Sequence, residues 1–211
     1  MGKSKKTNKL LVAGISMTAA AVLLIGGGIF MLIKGNNEEV VTPGGFAAIG
    51  EEDSATACQN LMSEYYSAIM GENGESLYKL MAPPEYWTYY METYGKTEEE
   101  VIATYSDAIN NTKANWKAQC GDNAKVSFKI VSSGDQTEEF LQKWNDNMGS
   151  IVGSGELNAE EAVTLNVEQT VTGSGGSIET NNTPTLIKVN SKWYILDEGT
   201  GTNANSEKGA E

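Results

Sequence analysis

Residues 10–33 form an unbroken apolar run without a charged side chain, and Lys3, Lys5, Lys6 and Lys9 stand just before it. A helix rises about 1.5 Å per residue, so a run of this length crosses a hydrocarbon core of roughly 30 Å. This feature restricts the chain more than any other. It divides the sequence into a short leading segment (1–9), a span (10–33) and everything from Lys34 onward.

The alternative to a retained anchor is a secretory signal that is cut away. Signal cores run about 7–15 residues and end at small residues next to the cleavage site. This run is longer and closes on Ile29, Phe30, Met31, Leu32 and Ile33. Ala55-Thr56-Ala57 lies too far downstream to serve as the cut, and the first cysteine, Cys58, is too distant for lipoprotein processing. The expected state is therefore a transmembrane helix whose partner is the lipid bilayer. Positive residues stay cytoplasmic, which puts the N-terminus inside and the C-terminal bulk outside the cell membrane. Within the span, Gly14 and Thr18, and Ser16 and Ala20, have the small-xxx-small spacing that can seat a helix–helix contact, with lipid-facing filler as the plain alternative. Gly26-Gly27-Gly28 is tolerated in a membrane helix. A cytoplasmic segment of about nine residues is too short for a kinase or a DNA-binding module, so function is expected outside, or through partners in the membrane.

Beyond Lys34 ten lysines face 28 acidic residues, and ten minus 28 leaves a formal charge of −18. Such a surface has no electrostatic footprint for nucleic acid, and its simplest role is solubility. The chain has no histidine, the usual general base near neutral pH and the commonest metal ligand. Ser-His-Asp, Cys-His and histidine-metal sites are excluded. Arginine is also absent, which removes bidentate clamps for carboxylate or phosphate. No phosphate-binding loop or spaced Asp/Asn calcium loop is present, and Asp197-Glu198-Gly199 lacks the alternating oxygens of an EF-hand. No metal, cofactor or catalytic residue is assigned. Any catalysis would rest on Asp, Glu, Tyr or Lys.

Residues 34–52 mix Asn, Gly, Glu and Val without sustained periodicity and read as a linker, and residues 199–211 read as a disordered tail. Between them, 53–198 is patterned as one domain. Cys58, Leu61, Met62, Tyr65 and Ile69 recur at helical spacing after an N-cap at Asp53 or Ser54. A short helix at 75–81 stops at Pro83-Pro84. The aromatic segment Tyr86, Trp87, Tyr89, Tyr90 and Tyr94 ends at Gly95. Thr97 and Glu100 form a capping box for a longer helix whose face carries Val101, Tyr105, Ala108, Ile109, Thr112 and Trp116. Then the period changes. Val126, Phe128 and Ile130 alternate with polar residues as a half-buried strand. A short helix starting at Asp135 or Glu138 carries Phe140, Leu141 and Trp144. Val163, Leu165, Val167 and Val171 mark a long strand. After a Gly/Ser/Asn loop, two strands at 186–189 and 193–196 flank the tight turn Asn190-Ser191. Helices followed by an antiparallel meander give an α+β domain with helices on one sheet face.

That order, with the closing hairpin Lys188-Val189-Asn190-Ser191-Lys192-Trp193-Tyr194-Ile195 and the opening helix bearing Tyr65-Tyr66, resembles the NTF2-like (cystatin-like, SnoaL-like) superfamily over residues 55–197. The resemblance implies a curved antiparallel sheet around its helices, with a cone-shaped pocket. Some members are isomerases or hydrolases, and many are binding or assembly domains. Membrane-anchored relatives include conjugation-channel assembly components and uncharacterised surface proteins of Gram-positive bacteria. The isomerases use an Asp base with Tyr and acid donors; that set has no matching positions here, and the helix after Asp135 reads as an insertion at the edge of the pocket.

Tyr65, Tyr66, Trp87, Tyr89, Tyr90 and Trp116 are the candidates for a ligand- or partner-binding face, against plain core packing of large side chains. Aromatics occupy more than one face of segment 86–94, more than a one-sided core can bury. Cys58 and Cys120 would be brought together by two antiparallel packed helices, and the compartment permits a disulfide, with two buried free thiols as the alternative. Glu64, Glu92 and Asp107 are conceivable bases that nothing selects, and Glu98-Glu99-Glu100 is a first turn favouring the helix dipole. Three functions follow: an extracytoplasmic, non-enzymatic domain binding an envelope protein or small ligand; a small-molecule enzyme using Tyr and Asp or Glu; and a conjugation-type assembly component that self-associates. If residues 10–33 are a retained span, the protein stays in the membrane pellet after alkaline carbonate extraction and is released only by detergent. Recovery in the carbonate supernatant would point to the cleaved signal.

Overall fold

The computed structural model describes residues 54–153 and 157–199, together with the backbone of Thr202 and Asn203. The expected leading segment, span and linker lie outside the described residues, among which no helix is long and apolar enough to cross a membrane. Four helices come first: α1 (Ser54–Met70), α2 (Gly74–Met81), α3 (Pro84–Tyr94) and α4 (Glu98–Cys120). Strand β1 (Lys125–Asp135) and helix α5 (Glu138–Val152) follow, then β2 (Ala159–Gly173), β3 (Gly176–Asn182), β4 (Thr185–Val189), β5 (Lys192–Asp197) and β6 (Thr202–Asn203). The domain is α+β with a six-stranded antiparallel sheet.

Local signals account for most helix ends. Asn73 caps α2 by accepting from the Ser76 N–H at 2.9 Å. Pro84 opens α3, where its missing N–H costs nothing, and Gly95 closes it in the left-handed region. Both halves of the Thr97–Glu100 capping box form at the start of α4. Helix α5 starts at Glu138, one of the two expected starting residues, with Thr137 as its cap, while Asp135 is still the last residue of β1. At Asn190-Ser191 both residues have positive φ (48° and 64°), as a tight β-hairpin turn requires.

Strand β2 pairs with β1 along most of its length. On its other edge β4 takes its first half and β3 its second. Thr183 and Pro184 separate β3 from β4; Pro184 has no N–H for the ladder, but its carbonyl accepts from Leu165 N–H at 2.9 Å. The next line is interrupted in the same way, with β5 on β4 and β6 on β3. Two strand breaks therefore lie side by side, the arrangement that bends a sheet.

Helix α1 lies along one face, here called inner. Ser54 Oγ donates to Glu161 at 2.9 Å at one end, and Tyr66 reaches Gln169 at the other. Val163, Leu186 and Ile195 are register partners on this face and are buried. Their sequence neighbours Ala162, Ile187 and Tyr194 point the opposite way and are buried as well. Helix α5 crosses that reverse face: Asn145 bonds both the N–H and the C=O of Ala159, and the Gln136 N–H donates to the Ala162 carbonyl at 2.8 Å. The expectation of helices on one face is thus corrected, since strands buried on both faces are near-continuously apolar, as Leu186-Ile187 and Trp193-Tyr194-Ile195 are.

Two further expectations change. The Gly/Ser/Asn loop is β3, whose only large apolar residue is Ile178, so it has no hydrophobic period to read. The tail contributes Thr202 and Asn203 as β6; residues 204–211 lie outside the described ones.

Cys58 and Cys120 are both buried and are not joined in the suggested disulfide. Helix α1 runs in the direction of β2, so Cys58 sits toward the Glu161 end, about 12 Å of helix before Tyr66. The Cys120 thiol donates to the Val171 carbonyl at 3.5 Å, at the opposite end of β2.

Gly74 is where α2 closes on α4, because a Cβ there would fall 2.2 Å from Ser106 Oγ and 2.9 Å from the Ile102 carbonyl. Gly74→Ala is expected to destabilise the domain by about 1–3 kcal/mol in chemical denaturation, whereas Gly95→Ala, which meets no atom, costs only its backbone strain.

Candidate functional site

The inner face of β2 carries Val163, Leu165, Val167, Gln169 and Val171 in alternation, so one amide occupies a core-phase position. Its register partners are Phe128 on β1 and Thr180 on β3. Tyr66 lies over this row. Its ring stacks on Phe128 with centroids 4.9 Å apart, and its hydroxyl donates to Gln169 Oε1 at 3.2 Å. Asn182 Nδ2 donates to the same oxygen at 2.9 Å and also to the Tyr66 phenol oxygen. Tyr65 meets Tyr66 edge-on at 5.0 Å, and its hydroxyl donates to the Glu198 carboxyl.

Glu198 is delivered by the break between β5 and β6. Asp197 accepts from the Gly199 N–H at 3.0 Å, and Gly199 has φ +73°. A Cβ at Gly199 would lie 2.3 Å from the Thr183 carbonyl, so the chain turns tightly against the facing break. Part of Glu198 remains accessible, but its carboxyl is desolvated beneath α1. Burial, with Asp197 adding repulsion, lifts its pKa to about 7 against the opposing pull of the Tyr65 hydrogen bond. Burial pushes Tyr65, Tyr66 and Tyr105 upward too, and the negative field of Glu198 adds to it. The cluster can therefore hold a proton on a carboxyl near neutral pH, beside hydroxyl and amide donors.

The structure separates the sequence candidates into groups. Tyr65 and Tyr66 belong to this polar cluster. Trp87 and Tyr90 belong to a second, aromatic group, in which Trp87 lies 4.6 Å from Tyr78 and edge-on to Tyr90 and Tyr105 at 5.9 and 6.1 Å. Such edge contacts favour the rings electrostatically, and Trp87 is only 2% exposed, with Nε1 lacking an oxygen or nitrogen partner among the described residues. Tyr89 is half-buried, and Tyr94 is 59% exposed although it packs on Tyr90 at 4.8 Å. Trp116 is buried lower on α4 and makes no ring contact with the others among the described residues. Glu64, Glu92 and Asp107 are exposed and stand outside both groups. Among the described residues no set of three or more Cys, Asp or Glu is arranged to hold a metal.

Gln169, Asn182 and Glu198 are absent from the sequence candidates. Gln169 had a legible signal, a polar residue in phase with buried valines. Asn182 had none, since β3 lacks a hydrophobic period. Glu198 is aimed by a backbone break that only the paired strands reveal. Comparison with known proteins gives no match, whether to a protein-family model, a curated protein or a solved structure. Fold and site define an α+β domain with a tyrosine–carboxyl–amide cluster on the inner face of its sheet.

Because folded Glu198 keeps its proton up to about pH 7 while the unfolded chain loses it near 4.5, stability should be fullest below 4.5. It should fall as pH rises toward 7 and level off above. Glu161, whose carboxyl Lys188 holds below the ordinary value, contributes the opposite slope only at more acid pH. Glu198→Gln is expected to flatten the melting-temperature profile between pH 5 and 7.5; an unchanged slope would count against the assignment. Tyr66→Phe should cost about 1 kcal/mol for its lost hydrogen bond in denaturant titration.

Proposed function

We propose that this chain is a single-pass membrane protein, held by residues 10–33 with its N-terminus inside, that presents an NTF2-like domain outside the membrane. The domain binds a partner protein or small ligand through the inner face of its sheet and is not primarily a catalyst. The observation that carries this reading is the polar cluster of Tyr65, Tyr66, Gln169, Asn182 and Glu198, gathered under α1 beside the buried Val163, Leu165, Val167 and Val171. Polar groups grouped in this way on an apolar wall fix a ligand's orientation. Support for the NTF2-like identity comes from helices followed by an antiparallel meander with two adjacent strand breaks, closing on the Asn190-Ser191 hairpin. The aromatic group of Trp87, Tyr78, Tyr86, Tyr90 and Tyr105 is largely core under this reading.

One observation favours a second reading. The Glu198 carboxyl within hydrogen-bonding reach of the Tyr65 hydroxyl is the pairing that a tyrosine- and acid-dependent small-molecule enzyme requires. Under it Glu198 carries the proton and Tyr65 donates to a developing oxyanion.

External protease added to intact cells should degrade the domain beyond residue 34; full protection would reject the outward placement. With a photo-crosslinking side chain at position 182, adducts should form in native membranes, while the same group at exposed position 129 serves as the control. Equal labelling from both positions would reject binding on the inner face.

A further inference from the structure

We propose that the outer edge of β1 is a self-association surface: two copies of this chain pair their β1 strands antiparallel about a two-fold axis at Phe128. The margins of the sheet differ. Helices α1 and α2 pack against β5 at one margin. Strand β1, on the opposite side of β2, has 11 residues, long for a strand, and pairs only with β2 among the described residues. The register shows which of its backbone groups stay open. Leu165 of β2 turns its N–H away from β1, to the Pro184 carbonyl, whereas the Ala162 carbonyl meets Gln136 just past the end of β1. Backbone groups alternate sides along a strand, so Glu168, Thr170 and Thr172 turn theirs toward β1. Their register partners Lys129, Ser127 and Lys125 complete that ladder, and Val126, Phe128 and Ile130 turn their N–H and C=O groups outward. No other backbone meets these groups among the described residues. An open row of this kind is a template for another strand.

The row is complementary to itself. With Phe128 on the two-fold axis, Val126 of one copy stands opposite Ile130 of the other, and the two Phe128 residues face each other. All three are only half-buried in the single chain, at the border of its core. Apolar cross-strand pairs of this kind stabilise a sheet. On the reverse side Ser127 meets Lys129, and Lys125 meets Val131, which is 45% exposed in the single chain. No two lysines stand opposite each other, a pairing that would repel, and Lys129 already faces Glu168 across β1 and β2. Bulges and lysines often guard an edge against pairing. Here the bulge falls between Ile130 and Ser132, so the row from 126 to 130 stays regular. A second copy satisfies all of these positions at once, which selects it as the occupant.

A single strand pair makes a small interface, so the contact is reversible and is best trapped covalently, in native membranes carrying the full chain. Ser127→Cys in one tagged copy and Lys129→Cys in another place two Cα atoms about 4.5 Å apart, within disulfide reach. Mild oxidation should give this mixed dimer several-fold above either same-position dimer. Glu179→Cys, exposed on β3, should give none. Ile130→Pro, added to both tagged copies, removes an outward N–H without breaking the β1–β2 ladder, and should abolish the mixed dimer in a chain that still melts cooperatively. Absence of the mixed dimer, equal yields from every combination of positions, or a folded Pro variant that crosslinks like its parent would overturn the proposal. Crosslinks to a different protein in place of a second copy would overturn it too. Should the Pro variant fail to fold, the comparison among cysteine positions decides.

Discussion

Strand β2 carries the domain, because the two wings of the sheet and β1 are joined to one another through it. It pairs with β1 on one edge and with both β3 and β4 on the other. Leu165, Val167 and Val171 on its inner face are fully buried. Side-chain direction alternates along a strand, so a slip of one residue would turn these three outward and bring Asn166, Glu168 and Thr172 inward. The cost of burying those polar groups holds β2, and with it the position of every residue in the inner cluster, in one register.

The same alternation places Gln169 among valines. The amide there is half-buried, and Tyr66 and Asn182 supply its hydrogen-bond partners. The chain of contacts continues through Tyr65 to Glu198, so α1, β2, β3 and the β5–β6 break meet at one polar knot. Polar groups beneath a helix stabilise a fold less than apolar ones of equal volume, but they specify geometry and can carry protons. The aromatic group around Trp87 is different in kind. Its rings pack on one another between α2, α3 and α4 and supply apolar area and edge-to-face contacts.

Much of the fold was legible because local chemistry and tertiary packing agree. The α1 stripe of Cys58, Leu61, Met62, Tyr65 and Ile69 is buried, as is the α4 face from Val101 to Trp116. The Thr97–Glu100 box and the Asn190-Ser191 turn form where their side chains and φ preferences require. Strand β3 escaped notice because a strand whose inner face meets Gln169 and Asn182 has no hydrophobic period to display. The disulfide suggestion failed because it needs two helices packed antiparallel, whereas α1 runs with β2 and leaves Cys58 and Cys120 at opposite ends of it.

By itself the sequence determined an α+β domain, the Thr97–Glu100 capping box, the Pro83-Pro84 and Gly95 helix stops, and the exclusion of histidine chemistry, because these depend on residue type and short-range spacing. It also contains the 24-residue apolar run at 10–33, which lies outside the described residues. Only the tertiary structure decided that α5 covers the reverse face, that Tyr65 and Tyr66 part company with Trp87 and Tyr90, and that Glu198 turns inward. Each of these depends on which strands pair and where a strand breaks, and contacts between distant residues, such as Tyr66 with Gln169, leave no local trace in the chain.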